Sequence, residues 1–229
     1  MDTDRLIQYL TENVEPVRRL PRPGARTVLW LAIAIPYIAL VVLVVSPRAD
    51  LLAKLADFRY FVEQLAVLTT GIAAAVAAFT SVIPGVSRKF LLLPLFPLAV
   101  WLGSIGEGCV ESWLRYGSNG LSLQSDWFCF PAIVLVGTVP AIAMAVMLRR
   151  GVPLAPSATA ALGGLAAAGL GNFGLRFFHQ QDASLMVLVW QVGTVMMLSV
   201  LAGSAGRYLL KWRSSIGITR GNLVIGQEK

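Results

Sequence analysis

The chain has 229 residues, of which 56% are hydrophobic and 14% are charged, and its mean hydropathy is +0.71. Soluble domains carry about 25% charged residues, so the composition excludes an ordinary water-soluble domain and predicts an integral membrane protein. The net charge of +7 does not indicate nucleic-acid binding, because the basic residues form no basic face interleaved with aromatic residues.

The first residues, 2–15, predict a short amphipathic helix whose apolar positions recur at helical spacing. Two interpretations are open: the helix lies on lipid head groups, or its apolar stripe enters the groove of a cytoplasmic partner. The residues predicted to bind such a partner are Asp2, Asp4, Leu6, Ile7, Leu10, Val14, Val17, Arg18 and Arg19.

Six apolar segments are each long enough, at about 20 residues, to cross a hydrocarbon core of about 30 Å. Backbone polar groups in lipid must be satisfied within each segment, so all six are predicted to be helices. The predicted spans are residues 27–46, 61–83, 90–108, 128–148, 157–175 and 183–206. The sequence therefore predicts an all-α, six-helix membrane bundle (27–206), preceded by a cytoplasmic helix and tether (1–26) and followed by a short tail (207–229).

The basic residues predict the orientation of this bundle. Of the 19 Lys and Arg residues, 14 fall in segments on the side of the N-terminus and 5 fall on the other side. By the positive-inside rule, both termini are predicted to be cytoplasmic.

Two local features of the predicted spans concern their ends and their packing. Residues 49–61 have helical periodicity and are expected to extend the second helix beyond the outer membrane surface. In the sixth span, Gln191 is expected to form an interhelical hydrogen bond.

The fifth span carries small residues at every fourth position, which lets helix backbones approach closely in lipid. This stripe predicts either a homodimer face or packing inside the bundle. Its members are Ala160, Gly164 and Ala168 in one row and Gly163, Ala167 and Gly171 in the other.

The only two cysteines, Cys109 and Cys129, bracket a short polar loop between the third and fourth spans. The predicted topology places both on the outer side, together with His179. Thiolates and imidazole are ligands for zinc-like or softer metal ions, whereas two thiols in an oxidising compartment can pair. Three roles are therefore open: metal capture at Cys109, Cys129 and His179, a redox-active thiol pair, or a static disulfide.

Catalysis is not predicted. The segments outside the bundle, about 26 and about 23 residues long, cannot bury an enzyme core. The sequence contains no HExxH, Walker loop, GxSxG or Cys-x-x-Cys motif. No resident cofactor is predicted. The alternative function is a small transporter or metal-ion permease with an outer thiol capture site, although its spans would carry almost no charge at mid-membrane.

Several stretches along the chain form a specific pattern when taken together. They are Leu6-Ile7, Pro16-Val17-Arg18-Arg19-Leu20, Cys109, Ser125-Asp126-Trp127-Phe128-Cys129, Leu148-Arg149-Arg150-Gly151, Phe178-His179 and the run from Asp182 to Trp190. In these stretches the chain resembles the NrsF-like family of polytopic membrane anti-sigma proteins of bacteria. It departs from the family at Gln191, where a histidine often follows the tryptophan of the last span.

The resemblance implies a protein of the bacterial inner membrane that holds an extracytoplasmic-function sigma factor inactive. It also implies release of that partner under heavy-metal or oxidative stress, with Cys109 and Cys129 as the sensing residues. A soft or borderline metal ion is then a signal rather than a resident cofactor. The N-terminal helix would bind the sigma factor, and no direct contact with nucleic acid is expected.

Overall fold

The computed structural model describes residues 3–12, 20–117, 128–151, 153–179, 185 and 187–210. This part of the chain is helical and contains no strand, which confirms the predicted all-α fold. Its helices are α1 (Thr3–Glu12), α2 (Pro23–Val45), α3 (Leu51–Leu55), α4 (Phe58–Ser81), α5 (Leu95–Tyr116), α6 (Cys129–Leu148), α7 (Pro156–Leu175) and α8 (Gly193–Leu209). A 3-10 turn, Arg88–Leu92, precedes α5, and a π-helical segment, Val187–Val192, leads into α8.

Six helices are long and apolar enough to cross a membrane, as predicted. They are Pro23–Val45, Phe58–Ser81, Lys89–Tyr116, Cys129–Leu148, Pro156–Leu175 and Val187–Tyr208. Proline sets the start of two of them, because its fixed φ suits the first helical turn, where its missing N–H is not needed. The chain is a multi-pass membrane protein.

The helix α7 is the central element of the bundle, and it packs against α4, α6 and α8. Its small residues permit these contacts: a Cβ on Gly171 would lie 2.7 Å from the carbonyl oxygen of Ile133, in α6. A Cβ on Gly164 would lie 2.7 Å from Ala202, in α8. The suggestion of a homodimer through this small-residue stripe is therefore corrected, because the stripe is covered by helices of the same chain.

Two predicted boundaries were wrong. Residues 49–61 do not continue the second span, because α3 ends at Leu55 and Asp57 begins a new helix by accepting a hydrogen bond from the backbone N–H of Arg59. The third span does not end at residue 108, since α5 continues to Tyr116. Cys109 therefore lies inside a helix rather than at the edge of a loop.

The bundle has two ends that carry different chemistry. The cysteine end holds Cys129 and His179 beside the start of α4 and the end of α5. At the opposite, arginine end, the Arg26 guanidinium donates to the carbonyl oxygen of Met147 and lies over the Phe79 ring. The start of α2 and the end of α8 both lie at the arginine end, where Gly206 packs closely against Pro156 at the start of α7.

Candidate functional site

The structure brings Cys129 and His179 into direct contact, although they are 50 residues apart in sequence. Cys129 is the first residue of α6, and its Sγ lies 3.4 Å from His179 Nε2. The thiol is buried, with 2% of the residue exposed, and the Phe128 ring stacks on the imidazole with 5.8 Å between centroids. An imidazole beside a thiol can accept its proton, and the thiolate is the form that reacts with oxidants and soft metals.

His179 belongs to a turn, residues 176–179, that follows α7 and is called here the α7 turn. Arg48, just beyond the end of α2, holds this turn twice. Its backbone N–H donates to the carbonyl oxygen of Phe177 at 2.9 Å, and its guanidinium donates to the carbonyl oxygen of His179 at 3.2 Å. The guanidinium also pairs with Asp50 at 2.6 Å. The end of α2 that lies at the cysteine end is thus fixed to the residue that contacts Cys129.

A buried ion pair fixes the α7 turn to α4. Arg176 donates to Glu63 at 2.9 Å, and the side chains are 4% and 8% exposed. The Tyr60 hydroxyl donates to the carbonyl oxygen of Arg176 at 2.8 Å, and the Arg176 guanidinium lies over the Tyr60 ring. Two opposite charges this deeply buried stabilise each other, since either one alone would be costly away from water.

Cys109 lies in the same region but has different neighbours. It projects from α5 into reach of the charges of Arg59 and Glu63, in α4. Arg59 also pairs with Glu111 at 2.9 Å, which joins α4 to α5 near this thiol. Glu63 therefore connects the surroundings of Cys109 to Arg176 and the α7 turn.

Both cysteines are present as thiols, and they belong to different clusters of buried side chains. Their helices, α5 and α6, form no extensive interface with each other. The α7 turn is what the two thiols share: Cys129 contacts it through His179, and Cys109 approaches it through Glu63. A disulfide between them would therefore join residues that pack in two different clusters.

The predicted metal ligands are only partly assembled. Within the described ranges, no group of three or more His, Cys, Asp or Glu side chains is placed to hold a metal ion. Cys129 and His179 adjoin, whereas Cys109 lies with Arg59 and Glu63. Zinc in proteins takes four ligands, so a thiolate and an imidazole alone fit the softer ions that thiolates favour.

The predicted partner-binding residues lie at the other end of the chain. In α1, Asp4 is exposed and Ile7 is 55% exposed. The helix α1 has no extensive contact with the other described helices. The side chains of Leu6 and Leu10 lie outside the described part of the structure, as do Asp2, Val14, Val17, Arg18 and Arg19.

Sequence reasoning missed the residues that hold the site together: Arg48, Tyr60, Glu63 and Arg176. Charged residues within or beside apolar spans were the available signal, because such charges need partners in a membrane. The hydrogen bond expected of Gln191 is not confirmed. Its side chain is buried in the π-helical segment, and its Oε1 has no hydrogen-bond partner among the described residues.

The sequence model of the NrsF family, described as "Negative regulator of sigma F", matches residues 10–212. This range includes both cysteines, His179 and all six candidate membrane spans. No curated protein and no solved structure matches the chain.

Proposed function

The chain belongs to the NrsF family of negative regulators of sigma F, and on that premise we propose that it holds an extracytoplasmic-function sigma factor inactive at the bacterial inner membrane. The N-terminal segment, residues 1–22, binds this partner in the cytoplasm. The thiols at the cysteine end face the periplasm, and their reaction with a soft metal ion or an oxidant releases the sigma factor.

The observation that carries the sequestration proposal is the isolation of α1. An amphipathic helix with an exposed Ile7 beside an acidic first turn has apolar area to bury, and it has no extensive contact with its own bundle. Amphipathic helices of this kind bind by laying the apolar face into a groove. The acidic residues favour a basic protein groove over an anionic membrane surface.

The arginine end supports the orientation that we propose. Arg26, Arg149 and Arg150 cluster there, and the positive-inside rule favours the cytoplasmic side for such residues. In the proposed orientation α1 lies on the side where a sigma factor works, and Cys129 lies in an oxidising compartment.

The contact of Cys129 with His179 supports the sensing proposal. With a soft metal ion, the thiolate and the imidazole are two ready ligands. With a peroxide, the two thiols lose two electrons and two protons, a disulfide forms, and the peroxide O–O bond is reduced to two O–H groups. Either reaction changes what holds the α7 turn.

Sequestration is tested by Ile7→Glu, with Gln8→Glu as the matched control on the neighbouring exposed position. A charge in the apolar stripe is expected to weaken binding of the full chain to its sigma factor by about tenfold or more, as loss of one central apolar anchor does. Co-purification from membranes and a sigma-dependent reporter measure this. Equal binding by the two variants would contradict the docking role of α1.

Sensing is tested by the double variant Cys109→Ser, Cys129→Ser, with each single variant beside it. The double variant is expected to sequester the sigma factor normally and to lose release by Cd²⁺ or peroxide, because serine supplies neither a soft ligand nor a thiolate. Ser104→Ala, on α5 at the same end, serves as the control. Normal release from the double variant would refute the sensing role.

A further inference from the structure

The helix α2 joins both ends of the proposed circuit. Its first residue, Pro23, continues the N-terminal segment, and Arg48, just past its last residue, holds the α7 turn. We propose that α2 is a sliding helix: reaction of the thiols moves it into an apolar groove beside α4 and α7, and this movement displaces the N-terminal segment. The proposal deepens the proposed function and rests on its thiol input.

The outer link is direct. The Arg48 guanidinium, which is buried, donates to the carbonyl oxygen of the same histidine whose ring contacts Cys129. If His179 turns towards a metal ion, or if Cys129 is drawn away into a disulfide, the carbonyl that Arg48 holds is displaced as well. A change at His179 therefore reaches the end of α2 through Arg48.

Directional hydrogen bonds connect α2 to α6 along its length. The Tyr37 hydroxyl donates to the carbonyl oxygen of Leu135 at 2.8 Å, and the Trp30 indole donates to the carbonyl oxygen of Pro140 at 2.9 Å. Near the arginine end, Arg26 donates to Met147. Pro140 lies inside α6, where it removes a helical hydrogen bond and permits bending. These contacts join one side of α2 to α6, so a movement of α2 must stretch or break them.

That other side faces an apolar groove of about 460 Å³. The α2 residues lining it include Ile35, Ala39 and Leu43, and the opposite wall is formed by α4 and α7. In the most apolar stretch of α2, 17% of the residues are buried, compared with 72% in that of α7. A helix with so little packed surface moves at lower cost than one inside a close-packed core, and the groove gives the movement a direction.

The movement is measured on the full chain in lipid nanodiscs. Spin labels are clicked onto unnatural amino acids at Arg22, before α2, and at Leu154, before α7, which leaves both native thiols untouched. Cd²⁺ or the thiol oxidant diamide supplies the input, and mass spectrometry confirms reaction of Cys129. In the unsubstituted chain the mean distance is expected to shift by roughly 2 Å, the size of helix shifts in switching proteins. No shift after reaction of the thiols would overturn the proposal.

Filling the groove tests the direction of movement. Ala39→Leu places a larger side chain in the groove and is expected to abolish the shift. The matched control is Ala32→Leu, the same change at an exposed position of α2 that does not line the groove. Equal shifts in the two variants would overturn the proposal, as would an Ala39→Leu chain already displaced before treatment.

Removing the Arg48 guanidinium, which donates to the carbonyl oxygen of His179, provides a second variant. Arg48→Met is expected to lose the distance shift while Cys129 still reacts, whereas Arg115→Met, at an exposed arginine of the same end, keeps it. Sigma release is measured separately. A distance shift without sigma release would contradict the proposed function and support the sliding helix. Sigma release without a distance shift would support the proposed function and contradict the sliding helix.

Discussion

At the scale of single residues, the cysteine end is built from charges that meet only after folding. Glu63 comes from α4 and Arg176 from the α7 turn, 113 positions later. Each charge is expensive to bury alone, and the close contact between them offsets that cost. The pair therefore acts as a constraint on which helix ends come together, because a misplaced α7 would leave a buried carboxylate without its guanidinium.

Replacing one member of this pair is expected to destabilise the protein strongly. Glu63→Leu leaves Arg176 buried without its carboxylate and should cost about 3–5 kcal/mol. The double variant Glu63→Leu, Arg176→Leu should recover most of this loss, because no uncompensated charge remains. Unfolding in detergent measures the effect, with Glu107→Leu at an exposed position as the control. A single variant as stable as this control would contradict the role assigned to the pair.

The Arg48–Asp50 contact predicts a dependence of stability on pH. Its hydrogen bonds, of 2.6 and 2.8 Å, hold the pKa of Asp50 below its ordinary value of 3.8. Because the folded pKa is the lower one, ionised Asp50 stabilises the fold above pH 3.8, and the contribution is lost as pH falls through the folded pKa. The melting temperatures of the wild-type chain and Asp50→Asn should therefore differ at about pH 6 and converge as the pH falls through the folded pKa of Asp50. A constant difference across that range would exclude this linkage.

Only some of the residue contacts in the site could be predicted from the sequence. The sequence indicated Cys129 and His179 as neighbours on one side of the membrane, and the structure places them in contact. It could not indicate that the charges of Arg59 and Glu63 act on Cys109, because the rotation of each helix about its axis is set by packing partners elsewhere in the chain. Ion pairs between helices produce no regular spacing in the sequence from which they could be predicted.

At the scale of elements, α7 shows why small residues recur in the fifth span. Without a strong hydrophobic force between helices in lipid, close backbone approach and van der Waals packing hold them together. The approach of Gly171 to Ile133, and of Gly137 to Ala167, brings the backbones of α6 and α7 into contact. Small residues at this interface are needed for shape rather than for flexibility.

Adding a methyl group at this contact should be costly. Gly171→Ala would set a Cβ 2.7 Å from the carbonyl oxygen of Ile133, so the backbone of one helix must shift, at a cost of about 1–3 kcal/mol. Gly193→Ala meets nothing within 4 Å and should be neutral or stabilising by up to about 1 kcal/mol, since alanine favours helix. Comparing their unfolding midpoints checks this, and equal effects would contradict the proposed close contact.

The two wrong boundaries have a common cause. The third span was predicted to end at residue 108, yet α5 continues beyond it, where Glu111 pairs with Arg115 within the helix and with Arg59 across to α4. Between α3 and α4 the helical periodicity was real, but Asp57 capped a new helix. In both places a local polar contact, rather than hydropathy, decided where the helix ends.

At the scale of the whole molecule, the number and order of the spans could be predicted because lipid imposes one requirement on every segment. An apolar run of about 20 residues must become a helix, whatever its neighbours do. The arrangement of the six helices obeys no comparable rule. The central place of α7, the light packing of α2 and the shared α7 turn depend on side-chain shape, so they became visible only in the folded bundle.

The central position of α7 has a consequence for biosynthesis. Ribosomes make α2, α4, α5 and α6 first, and α4 and α6 have little contact with each other until α7 arrives between them. During that interval Glu63 lacks the guanidinium of Arg176, because Arg176 has not yet been translated. A nascent chain that stops before residue 176 therefore has Arg59, an ion-pair partner of Glu63 within α4, but not yet Arg176, its partner from the α7 turn. The contacts of the cysteine end are therefore completed late in synthesis, after α7 and its turn have been made.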